Sequence, residues 1–79
     1  MTNIEKYNNI FMDVFQVEES RLDTSFTKDN VEGWDSVKQL SLTSTIEDEF
    51  DLLLDPEDII GFTSYEAGKI ILGKNGVEL

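Results

Sequence analysis

The chain has 79 residues, 39% of them hydrophobic, enough for one modest core and close to the lower size at which a single core folds unaided. It carries 17 acidic residues against 6 basic ones, a formal net charge of −11, and has neither cysteine nor histidine. Those absences exclude disulfide staples, thiolate or imidazole metal sites and the histidine base that activates a catalytic serine.

The charge sets the surface against nucleic-acid phosphates and anionic membranes, and toward partners with basic patches. The amino terminus shows no basic segment followed by an apolar run, and no stretch approaches membrane-spanning length. A cytoplasmic, monomeric protein is expected, with no nucleic-acid or membrane partner.

Along the chain, Ile4, Tyr7, Phe11, Val14 and Phe15 recur at spacings of three and four and predict a first helix over 2–16. Thr2 or Asn3 is its cap, and Glu5 favours the positive end of its dipole. Residues 17–34 read as a long ordered loop, rich in polar turn formers and pinned by Leu22, Phe26 and Val31. A second helix starts at Asp35, and Leu42, Ile46, Phe50 and Leu53 give it a core stripe ending near Leu54. Asp55-Pro56 stops that helix and opens a short third one, in which Ile59, Ile60 and Phe62 face inward and Gly61 limits the length. Thr63-Ser64-Tyr65-Glu66 reads as a capping box for the last helix. Tyr65, Ala67, Ile70, Ile71 and Leu72 follow, with Gly73 as the stop and 74–79 as a frayed tail. No strand pattern competes. The expectation is an all-α, four-helix bundle in a single domain over 1–79, its core spanning about 2–73.

The chemistry concentrates at Gly33-Trp34-Asp35-Ser36-Val37. Ser36 falls at the first position of the second helix, where backbone amides have no partner within the helix. A phosphate ester there gains hydrogen bonds and a favourable dipole. With no histidine in the chain, the Ser36 hydroxyl stays a weak nucleophile, so a base and a metal must come from another protein. That describes a serine that is modified, not one that catalyses. The chain is therefore not expected to be an enzyme. Trp34 is read as a peg that fixes the loop to the bundle.

Asp35-Ser36-Val37, leading into a helix that ends Ile46-Glu47-Asp48-Glu49-Phe50, resembles the acyl carrier protein family, in which Asp-Ser-Leu opens the second helix and an acidic ending closes it. The likeness runs from about Phe26 through Leu72. It implies a bundle of acyl-carrier type, with three longer helices, a short third one and a long first loop. It also implies a 4′-phosphopantetheine arm from coenzyme A on Ser36, with Asp35 as the helix cap beside it, and acyl groups carried as thioesters. The implied partners are a phosphopantetheinyl transferase and acyl-transferring, ketosynthase or acyl-activating enzymes of fatty-acid, polyketide or related biosynthesis.

Val37 stands where the family has Leu. At roughly 100° per residue, Val37, Ser41, Ser44 and Asp48 share the side away from Leu42 and Ile46. With Glu47 they form the expected partner-docking face, diluted by Lys38, Ser41, Ser44 and Thr45, which points to a dedicated pathway. The acidic run from Glu47 to Asp58 has no metal-loop spacing, and no metal site is expected. Two alternatives stay open: an aminoacyl or peptidyl carrier of non-ribosomal synthesis, and an unmodified acidic helical interaction domain.

Overall fold

Thr2 opens the first helix, α1 (Asn3–Phe15), through a reciprocal cap. Its hydroxyl accepts from the Glu5 amide, and the Glu5 carboxylate accepts from the Thr2 amide at 3.0 Å. The computed structural model describes all residues, Met1–Leu79, and places four α-helices with no sheet. Helix α1 buries Tyr7, Ile10 and Phe11 and stops at Gln16, which takes a left-handed conformation.

The following loop is ordered as the sequence suggests. It contains a 3₁₀ turn at Glu19–Arg21, buries Phe26, Val31 and Trp34, and half-buries Leu22. One isolated antiparallel bridge, Thr27 with Ser64, ties it to the last helix. The Lys28 amide donates to the Thr63 carbonyl at 2.8 Å, and the Tyr65 amide to the Phe26 carbonyl at 2.9 Å.

Helix α2 (Ser36–Phe50) buries Leu42, Thr43 and Ile46. Asp51 then adopts φ 51° and breaks the periodicity. Leu53, expected in the core stripe, is consequently 87% exposed, and Leu54 turns inward in its place. The Leu54 amide donates to the Glu47 carboxylate at 2.9 Å, which fixes this exit.

Pro56 starts α3 (Pro56–Gly61), as its locked φ and missing amide allow. The Asp55 side chain makes no cap hydrogen bond. A helix this short has one inward face, held by Asp58 and half-buried Ile59, with Phe62 just beyond; Ile60, expected inward, is 77% exposed.

Helix α4 (Tyr65–Lys74) is capped by Ser64, whose hydroxyl accepts from the Ala67 amide at 2.9 Å. The anticipated box at Thr63 and Glu66 does not form, because the loop engages the Thr63 carbonyl and the Tyr65 amide and leaves Ser64 as the cap. Ile71 and Leu72 face the core, whereas Ile70 is 74% exposed. Gly73 lies within the helix, and the reversal comes at Gly76 with φ 86°. Nor is the tail frayed throughout. Val77 packs half-buried and donates to the Leu72 carbonyl, and Asn3 Nδ2 donates to the Glu78 carbonyl at 3.0 Å.

The core is aromatic. Phe11 sits among other rings, its centroid 4.9 Å from that of Tyr7 and 6.2 Å from those of Trp34 and Phe62, within the range of favourable ring contacts. No helix is long and apolar enough to cross a membrane.

Candidate functional site at the start of helix α2

Gly33 takes φ 86°, a conformation that costs a glycine little, and the reversal sends Trp34 into the core and Asp35-Ser36 outward. Asp35 is extended and caps α2: its Oδ1 accepts from the Lys38 amide at 2.9 Å and its carbonyl from the Gln39 amide at 2.9 Å. That leaves the amides of Ser36 and Val37 with no acceptor in the protein. Ser36 is exposed, and its hydroxyl enters no side-chain hydrogen bond.

An uncovered hydroxyl with two free amides beside it, at the positive end of a fifteen-residue helix, suits a phosphate ester. No internal base serves that hydroxyl. Lys38, two residues on, was expected on the exposed face; its ammonium instead donates at 2.8 Å to the Val14 carbonyl, in the last turn of α1, where a cation is favoured.

Of the docking residues read from the sequence, Val37 (74% exposed), Ser41, Ser44 and Asp48 all lie on the open face. Glu47 differs. It is half-buried, and its carboxylate holds Leu54, so it serves the fold before any partner. Leu40 is also exposed and joins Val37 one turn along, a neighbour that the helical wheel could have supplied.

Trp34 is the peg that was expected. It is buried against Phe15 and Phe26, with centroids at 4.7 and 5.9 Å. Its indole Nε1 donates to Gln39 Oε1 at 2.6 Å, and Gln39 Nε2 donates to the carbonyls of Ile59 and Phe62 at 2.7 Å each. Sequence reasoning missed Gln39, since nothing in a helical wheel marks a polar side chain as spanning three elements.

Three surface cavities lie away from Ser36. One of about 270 Å³ is lined by Arg21, Ser25 and Phe26, one of about 320 Å³ lies between α3 and α4, and one of about 560 Å³ borders Glu47, Asp48 and Leu53. No cluster of three or more carboxylates is arranged to hold a metal. No protein-family model matches the chain, nor does any curated protein or solved structure.

Proposed function

We propose that the chain is an acyl carrier protein whose four helices form a bundle of acyl-carrier type and whose Ser36 receives 4′-phosphopantetheine from coenzyme A. The observation that carries this reading is the Ser36 hydroxyl, exposed at the first position of α2 with the Ser36 and Val37 amides free beside it. The motif Asp35-Ser36-Val37 and the net charge of −11 support it.

In the transfer, Ser36 Oγ forms a bond to the phosphorus that bears pantetheine. The pyrophosphate bond of coenzyme A breaks, adenosine 3′,5′-bisphosphate leaves, and the hydroxyl proton passes to a base of the transferase. The free amides of Ser36 and Val37 hold the phosphodiester, and Asp35 keeps the first turn closed by occupying the Lys38 amide. The attached arm supplies a terminal thiol that carries an acyl group as a thioester. Tethering raises the local concentration of that group at whichever enzyme docks. Val37, Leu40, Ser41, Ser44 and Asp48 present the face for docking, whose acidic end selects partners with basic patches and favours fast, salt-sensitive association.

Intact mass after incubation with coenzyme A, magnesium and a broad-specificity phosphopantetheinyl transferase tests the reading. One arm is added to the wild type and none to Ser36→Ala. An unlabelled wild type, or a labelled Ser36→Ala, overturns it and leaves the acidic interaction domain as the surviving alternative.

A further inference from the structure

Gln39 uses its whole amide group. Its oxygen accepts from Trp34 Nε1, and its nitrogen donates to the Ile59 and Phe62 carbonyls, at 2.6 to 2.7 Å. Trp34 lies two residues before Ser36, and Gln39 three residues after it. The two carbonyls belong to the C-terminal end of α3 and the residue that follows it. One side chain therefore ties together the loop that leads into the serine, the first turn of the serine's helix, and the end of the short helix.

Local structure alone does little to fix the two elements so joined. The loop reverses at a left-handed glycine, and α3 has six residues with no side-chain cap at Asp55. A lone short helix is unstable in water, so its placement depends on such tertiary bonds. The carbonyls at a helix end also need donors: Gln39 supplies one to Phe62 and a second to Ile59, which also accepts from the Phe62 amide at 3.3 Å.

We propose that Gln39 is a positioning residue for modification of Ser36: it holds the Gly33–Ser36 segment and the end of α3 as one preformed surface that a transferase reads. This rests on the acyl-carrier reading above. Gln39 touches no reacting atom, and its contribution lies in recognition, so its loss raises KM and spares kcat.

Two substitutions cut the latch on opposite sides. Trp34→Phe keeps a ring in the core and removes the indole donor, freeing the loop. Gln39→Glu keeps an acceptor for Trp34 and has no hydrogen to donate, freeing α3. For each, kcat/KM of pantetheinyl transfer is expected to fall about tenfold through KM, with kcat within about twofold of wild type, as expected for loss of one or two well-placed hydrogen bonds.

Ile71→Val is the control. It removes one core methylene and none of the three hydrogen bonds, and its KM should match wild type at a temperature where circular dichroism shows every variant folded. The proposal is overturned if Trp34→Phe or Gln39→Glu keeps a wild-type kcat/KM, if the loss falls in kcat, or if Ile71→Val raises KM equally. In all of these outcomes the wild type is still labelled, which separates them from failure of the carrier reading, where it is not.

Discussion

Lys74 Nζ donates to Asp58 Oδ1 across 2.7 Å, joining the last residue of α4 to a carboxylate of α3 whose side chain is only 4% exposed. Asn75 adds a second hydrogen bond to Oδ2 at 3.2 Å. The hydrogen bond from Lys74, with that from Asn75 behind it, holds the Asp58 carboxyl below the ordinary aspartate range. The same pairing raises Lys74 above the ordinary lysine value.

This clamp has a defined pH window. In the unfolded chain Asp58 takes up a proton near its ordinary value, at about pH 4. In the folded chain it does so only at lower pH. Its contribution is therefore present in full above the unfolded value and is lost as pH falls through the folded one. Asp58→Asn should melt below wild type at about pH 7, and the two curves should converge as pH falls through the unfolded-state value and beyond it. Melting curves that stay parallel across that range would refute the clamp.

Alkaline stability depends on Tyr7. Its hydroxyl is buried and donates to the Tyr65 carbonyl at 2.6 Å, and burial, with Tyr65 and Glu66 nearby, pushes its pKa well above the ordinary tyrosine value. The unfolded chain ionises from about pH 10, so this contribution is whole below that pH and is lost above it. Tyr7→Phe should cost about 1 to 2 kcal/mol in urea unfolding at neutral pH. It should also weaken the loss of stability above pH 10. An undiminished alkaline transition in Tyr7→Phe would assign that transition to other groups.

Two glycines of α4 should respond in opposite directions. A Cβ on Gly68 would collide with the Tyr7 hydroxyl and the Phe62 ring, whereas one on Gly73 meets open space. Gly68→Ala is expected to destabilise by roughly 1 to 3 kcal/mol, overpacking outweighing the gain in helix propensity. Gly73→Ala should stabilise by about 0.5 to 1 kcal/mol. Chemical denaturation of the pair decides it, and a neutral Gly68→Ala would contradict the packing of α4 on α1.

The adjacent carboxylates Glu47 and Asp48 should likewise separate. Asp48 is exposed, so Asp48→Lys should leave stability within about 0.5 kcal/mol and weaken low-salt binding to a basic transferase. Glu47→Lys also breaks the bond to the Leu54 amide and should cost about 1 kcal/mol in folding. Equal melting temperatures for the two variants would remove the distinction.

Much of the architecture was legible in the chain because its signals are local. A cap at Thr2 or Asn3, the proline opening of α3 and the aromatic spacing of α1 need only residues close in sequence, though the reciprocal bond from the Thr2 amide to Glu5 was not read there. Leu53, Ile60 and Ile70 were misread because periodicity identifies apolar residues without saying which faces another element covers. Asp51 alone, by turning left-handed, moved Leu53 to the surface. The site divides the same way. Ser36 and its cap follow from helix-start chemistry, while Gln39 bridging the loop and α3, and Lys38 reaching α1, depend on contacts distant in sequence.

Trp34 is the chain's single tryptophan, so its fluorescence has one source. That indole is buried among aromatic rings two residues from the serine, and its N–H ends on Gln39. Its emission should be blue-shifted relative to a water-exposed indole and red-shift on unfolding or on opening of the loop. A spectrometer can thus watch the segment around Ser36 with no extrinsic label.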